Sequence, residues 1–175
     1  VMLNGPIQGG LFPDLRQKSA IEMGKFDFSV HPIGGIVPVM EQHRYREYAK
    51  IMLSTLPFLP SNRPVHMFGC GHPMLFPMSI ALGADLFDSA AYALFARDGR
   101  ILTPWGTEKL EGLHEWPIMM PCISSITPED VRNLDKQARI EILSKYNLEI
   151  TLAELSRCRQ AVRDGNIWRL VEQRS

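Results

Sequence analysis

The chain has 175 residues, 45% hydrophobic and 22% charged, the composition of an ordinary folded domain rather than a disordered or collagen-like one. Nineteen Lys and Arg offset nineteen Asp and Glu, so no basic field announces a nucleic acid, no acidic tail is present, and any contact with a polyanion must be local. Cys70, Cys122 and Cys158 lie far apart with no CxxC pair, which gives no zinc signature and fits a reducing cytoplasm. No run reaches the length of a membrane span, and no charged segment followed by an apolar one opens the chain; a soluble, cytoplasmic protein without membrane contact is expected.

The chain opens at Val1 directly in a strand-like run to Ile7, the start expected of a piece of a longer polypeptide or of a processed terminus. From residue 1 to about 96 a pattern recurs: a short apolar run, a glycine-rich or polar break, then a helix-like stretch. Strands alternating with helices argue for βαβ units and a parallel sheet. The first run ends at Gln8-Gly9-Gly10, and a helix is expected from about Pro13 to Met23, with proline where a missing N–H costs nothing. The second, Phe28 to Ile33, ends at Gly34-Gly35. Tyr45, Tyr48, Ala49, Met52, Leu53 and Leu56 then recur as the stripe of an amphipathic helix. The third, Val65 to Phe68, breaks at Gly69-Cys70-Gly71-His72-Pro73 before a helix over about 74–82. The fourth is Ala84 to Phe87, opening into Asp88-Ser89-Ala90.

The remainder, 97–175, differs. Arg97 to Arg100 and Thr103 to Gly106 read as turns. Thr127-Pro128-Glu129-Asp130 reads as a capped helix start, and Thr151-Leu152-Ala153-Glu154 has the capping-box spacing of a second. Two parts are therefore expected, 1–96 and 97–175.

In parallel α/β architectures ligands bind at the carboxyl ends of the strands, where backbone groups and helix N-termini converge. All the breaks in the first part lie at such ends. That places Gln8, Gly34, Gly35, the loop from Gly69 to His72, and Asp88 on one rim. The glycine pairs either permit tight strand-to-helix turns or offer bare backbone to a flat ligand. Gln8 carries the donor and acceptor needed to read the edge of a heterocycle, unless it is a solvated loop residue. Asp88 would either act as a nucleophile at a sugar anomeric carbon or cap the helix beginning near Ser89. His72 either donates to a substrate or caps its own loop. The arginines 157, 159, 163 and 169 touch phosphate or simply form a solvated face.

Gly5-Pro6-Ile7-Gln8-Gly9-Gly10, Asp14-Leu15-Arg16, Ser19-Ala20, Ile33-Gly34-Gly35, Gly69-Cys70-Gly71-His72-Pro73, Asp85-Leu86-Phe87-Asp88-Ser89 and Ala93 to Arg100, in that order, resemble the tRNA-guanine transglycosylases. The wording is closest to the archaeal, archaeosine-forming branch. The resemblance implies a glycosyltransferase (pentosyltransferase) built on a TIM (β/α)8-type barrel, of which this chain supplies about four βα units, plus a small helical C-terminal subdomain. It implies exchange of guanine in tRNA, at position 15 of the D-arm, for 7-cyano-7-deazaguanine. Asp88 matches the nucleophile, Gln8 the amide that reads the base, and Gly34 with Gly35 the backbone contacts; His72 joins them as a substrate-binding candidate. The target nucleotide must leave its stack for such chemistry.

Two departures carry expectations. The family's amino-terminal half-barrel, with a second catalytic aspartate, has no counterpart here, so a complement on the same or another chain is expected to close the exposed edge. The family's structural zinc, held by a Cys-x-Cys-x-x-Cys run and a later histidine, meets Ile118, Met120, Ile123 and Tyr146 at the corresponding positions, with Cys122 out of register. No cofactor is therefore expected, apolar packing replacing the metal. The family's dimerisation, and with it a homo-oligomer, is left open. Two other readings stand beside the transferase: a non-catalytic tRNA-binding or scaffold subunit, and a fragment of an unrelated β/α-barrel glycosidase or lyase.

Overall fold

The computed structural model describes residues 1–174. It is an α/β chain that divides into two compact units. One comprises Val1–Cys70 with Met78–Ser89, the other Gly71–Pro77 with Ala90–Ser175.

In the first unit, helix α1 (Pro13–Gly24) begins on a proline without a side-chain cap, because a first-turn residue needs no N–H. Strands β1 (His31–Ile33), β2 (Val65–Met67) and β3 (Leu86–Phe87) form a parallel sheet in that order. Helices α2 (Val37–Glu41) and α3 (Tyr45–Thr55) lie between the first two strands, and α4 (Phe76–Ala81), which joins this unit from Met78, precedes the third. The opening run pairs with β1 in parallel through bridges at Asn4↔Val30 and Ile7↔Ile33. Pro32 has no N–H to give Gly5 O, which breaks this ladder; the buried His31 ring turns Nδ1 to that carbonyl at 3.4 Å instead.

The registers Ile7↔Ile33, Ile33↔Met67 and Met67↔Phe87 set one level row across the sheet. Ile7, Ile33 and Met67 in that row have no exposed surface, each contributing roughly 1.5–3 kcal/mol by burial. Right-handed crossovers place the connecting helices on one face of a parallel sheet. The buried row faces them, with Ala20 of α1 and Ile51 and Met52 of α3 also buried. The alternate row therefore faces the other way, and there Leu86 is exposed and His66 only partly covered.

The second unit holds α5 (Ala91–Arg97), an antiparallel hairpin of β4 (Arg100–Thr103) and β5 (Gly106–Lys109), α6 (Pro128–Arg132), α7 (Lys136–Arg163) and α8 (Ile167–Glu172). Its core joins Ala96, Ile101, Leu110, Leu113, Trp116, Ile123, Val131, Leu143, Tyr146 and Ile150. Buried Asn147 of α7 crosslinks it: Oδ1 accepts from Leu102 N–H at 2.8 Å, and Nδ2 donates to Tyr92 O and Arg100 O at 3.1 Å each.

Several expectations change here. The boundary does not fall at 96, because α5 packs on α7 and goes with the second unit. The turns at 97–106 belong to a hairpin. The helix expected over 74–82 is a 3-10 turn at Pro73–Leu75 followed by α4. The Thr127 start holds, with Thr127 and Asp130 closing a reciprocal capping box. The Thr151 start does not, since α7 begins at Lys136, capped by Asp135, whose carboxylate accepts from Gln137 and Ala138 N–H. Thr151 sits inside that helix and turns its hydroxyl back to Asn147 O at 2.7 Å, the usual alternative use of a helical threonine.

Candidate active site

One residue beyond the buried row, the same register puts Gln8, Gly34, Phe68 and Asp88 level at the carboxyl ends of adjacent parallel segments, on the face opposite the helices. Backbone pairing continues into that row, Gly34 N–H donating to Ile7 O at 3.0 Å and Phe68 N–H to Ile33 O at 3.2 Å. From Gln8 to Asp88 is three strand spacings, about 14 Å along the sheet.

At one end the Gln8 side chain lies over Gly34: a Cβ there would stand 2.3 Å from Nε2 and 2.9 Å from Cδ. Gly35 has φ +69, a conformation glycine adopts without strain. The turn requires glycine at Gly35, and at Gly34 the group in close approach in this structure is the chain's own Gln8 amide. Arg16, fully buried, ties these loops together. Its Nε donates to Gly10 O at 2.9 Å, and one Nη donates to Gly34 O at 2.8 Å and Ile7 O at 3.3 Å. Among the described residues its other Nη has no hydrogen-bond partner, and burial pulls the guanidinium below its ordinary value.

At the other end Asp88 Oδ1 accepts from Gly69 N–H at 2.9 Å. His66 Nε2 stands 2.9 Å from the same oxygen, in contact but without the alignment of a hydrogen bond. Among the described residues nothing bonds Oδ2, and the side chain is 57% exposed. The capping alternative for Asp88 is not what the structure shows: the residue before α5 is Ala90, with no side-chain cap. Gly69 sits at φ +73, where a Cβ would meet Val37 Cγ2 at 2.6 Å.

Next to it, Cys70 is buried against Tyr48 OH at 3.4 Å, and that hydroxyl lies 2.7 Å from Ser79 Oγ. Burial pushes the Cys70 thiol up to about 11, so it is inert at neutral pH. Among the described residues of this rim, the carboxylate of Asp88 is the nucleophile left open.

His72 belongs to the second unit. Its Nδ1 accepts from Met74 N–H at 3.3 Å, so Nε2 carries the proton and donates to Thr107 Oγ1 at 3.0 Å. With both nitrogens engaged, the ring caps its loop. Phe68, His66 and Arg16 were not singled out from sequence. Writing the apolar runs one above another by their ends would have found Phe68 and, two residues earlier on the same face, His66. Arg16 stands in the sequence only as part of the Asp14-Leu15-Arg16 motif, with no role attached.

A search against protein-family models matches this chain over residues 1–175 to the family described as queuine tRNA-ribosyltransferase. The tRNA-guanine(15) transglycosylase of Methanocaldococcus jannaschii is 51% identical over 177 residues, covering 99% of this chain and 27% of that protein. Its counterpart in Methanococcus maripaludis C5 is 51% identical over 175 residues, 98% of this chain and 27% of that protein. That of Thermococcus kodakarensis is 43% identical, over all of this chain and 30% of that protein. The chain belongs to the queuine tRNA-ribosyltransferase family. It spans between a quarter and a third of the length of these curated relatives.

In this tRNA-ribosyltransferase family member the positions that answer to the family's zinc ligands do not fit the metal. Ile123 and Tyr146 are core residues, and Ile118 and Met120 pack against them. Tyr146 stacks on Trp116 at 5.2 Å between centroids and donates its hydroxyl to Ile118 O at 3.1 Å. These side chains offer an ion neither thiolate nor imidazole.

Proposed function

We propose that these residues form the nucleophile-bearing half of a tRNA-guanine transglycosylase barrel, exchanging guanine at position 15 of the tRNA D-arm for 7-cyano-7-deazaguanine. The observation that carries this reading is the level row on one sheet face, with an open carboxylate oxygen at one end and the Gln8 amide at the other. Gln8 reads the edge of the base, and the backbone of Gly34 and Gly35 approaches it. Phe68 lies between in the same row, 37% exposed, where a ring face can cover a heterocycle.

The chemistry follows from the groups present. Asp88 Oδ2 attacks C1′ of the extruded nucleotide while the C1′–N9 bond breaks. Guanine leaves with the electron pair and takes a proton from water. The incoming base gives its N9 proton to the hydroxide so formed and attacks C1′ from the side opposite the ester, and the C1′–Oδ2 electron pair returns to the carboxylate. The bond energy is conserved, so no ATP is needed, and two inversions preserve the anomeric configuration.

Among the described residues, 4–7 and β3 are the outermost segments of the parallel sheet, and Met2, Leu3 and Leu86 are exposed. An open parallel sheet with apolar side chains at its margins calls for cover, which supports a complementary half-barrel on the same or another chain. The apolar replacement of the zinc ligands favours a second reading, a tRNA-binding or scaffold subunit without catalysis. Exchange of labelled guanine into tRNA, measured on the complete protein, separates the two. Asp88→Asn lowers it by about a thousandfold or more if the carboxylate is the nucleophile. Exchange that survives this change refutes the transferase mechanism, and a complete protein without exchange leaves the scaffold.

A further inference from the structure

We propose that His66 is a positioning residue for Asp88, holding Oδ1 together with the Gly69 N–H so that Oδ2 attacks, and favouring the free carboxylate over its ester. This rests on the transglycosylase reading above. His66 lies on β2 two residues before Phe68, hence on the same sheet face, and Asp88 stands one strand over and one row higher. The ring is fixed by packing edge-on against Phe68, 4.8 Å between centroids, and the side chain is only 18% exposed. Nε2 is fully buried and has no aligned hydrogen bond, yet it stands 2.9 Å from Asp88 Oδ1.

A buried ring nitrogen without a partner costs free energy. The carboxylate oxygen at 2.9 Å is the group placed to supply one, and such bonds commonly tighten only when substrate is bound.

Two donors on one oxygen have a directional consequence. They orient the carboxylate with Oδ2 toward the rim. When Oδ2 forms its bond to C1′, Oδ1 becomes an ester carbonyl with less negative charge, and the bond from His66 weakens. When the incoming base attacks C1′, the C1′–Oδ2 electron pair returns to the carboxylate and the bond strengthens. The His66 N–H therefore assists departure of the carboxylate in the second displacement more than its attack in the first.

The test uses the complete protein with two complementary substitutions. His66→Phe keeps a ring against Phe68 and loses the N–H; His66→Gln loses the ring and keeps an N–H donor. Guanine exchange gives kcat and KM, and rapid denaturation followed by gel analysis gives the fraction of protein covalently joined to tRNA. The expected result is that His66→Phe lowers kcat about ten- to a hundredfold with KM for tRNA unchanged, and raises the trapped fraction. His66→Gln recovers most of kcat. A purely structural ring reverses this order, Phe being benign and Gln harmful, and that outcome overturns the proposal. So does a parallel fall of kcat and adduct in His66→Phe. An adduct that requires Asp88 but is indifferent to His66 overturns this inference alone, whereas no Asp88-dependent adduct in the unaltered protein overturns the transglycosylase reading and this with it.

Discussion

Gly34→Ala isolates the role of the Gln8 amide with the least disturbance elsewhere. Gly34 is not in the left-handed region, so alanine meets no backbone penalty there. Its Cβ would stand 2.3 Å from Gln8 Nε2, more than 1 Å inside an ordinary contact of about 3.5 Å. The crowded atom is the far end of a flexible side chain, so Gln8 swings away at a cost of about 1 kcal/mol in rotamer strain, and the fold survives. The functional loss is larger. An amide that donates to and accepts from the edge of a base discriminates by about 1–3 kcal/mol, roughly five- to 150-fold. The assay is affinity for the incoming base, by calorimetry or from its KM in exchange, on the complete protein with Gly34→Ala, Gln8→Ala and both. The two changes remove the same contact, so their effects are not additive: the double variant binds base no worse than Gln8→Ala alone and recovers the stability lost in Gly34→Ala. Base affinity unchanged in Gly34→Ala, or losses that simply add, would show that Gln8 does not act from the position seen here.

Further outcomes are expected of the thiols and of the core that stands where the zinc ligands would. Burial holds Cys70 at about 11 and Cys158 at about 12, so both react slowly with iodoacetamide in the native protein at pH 7–8 and readily once it is unfolded. Because the folded state keeps protons that unfolded thiols release from about pH 8.5, the stability they contribute is whole below that pH and is lost as pH rises toward 11 for Cys70 and 12 for Cys158; denaturant midpoints that do not fall over this window contradict it. Chelator-washed protein holds no stoichiometric zinc by elemental analysis and keeps its Tm, whereas Ile123→Ala, which opens a cavity in the core that Ile123 shares with Trp116, Tyr146 and Val131, costs about 2–5 kcal/mol. Zinc retained at one per chain, or a Tm that drops on chelation, would show that other ligands hold the metal.

The alternation of apolar runs and helical stripes was enough to place α1, α3 and the strand ends, because period and punctuation are local properties of the chain. So was the residue that follows each run: Gln8, Gly34 and Asp88 are the first positions where the backbone leaves the sheet, and their order along the sequence carried the family resemblance. The length of α7 was not legible. Thr151-x-x-Glu154 has the local form of a cap, and only packing against β4 and α5 through Asn147 keeps the helix running through it. Whether Asp88 caps a helix or stands open, why Gly34 is bare, and which side chains surround the carboxylate were settled by register between segments twenty or more residues apart. Hydrogen-bond partners such as Gly69 and His66 are brought to Asp88 by strand pairing, a long-range choice that no window of sequence records.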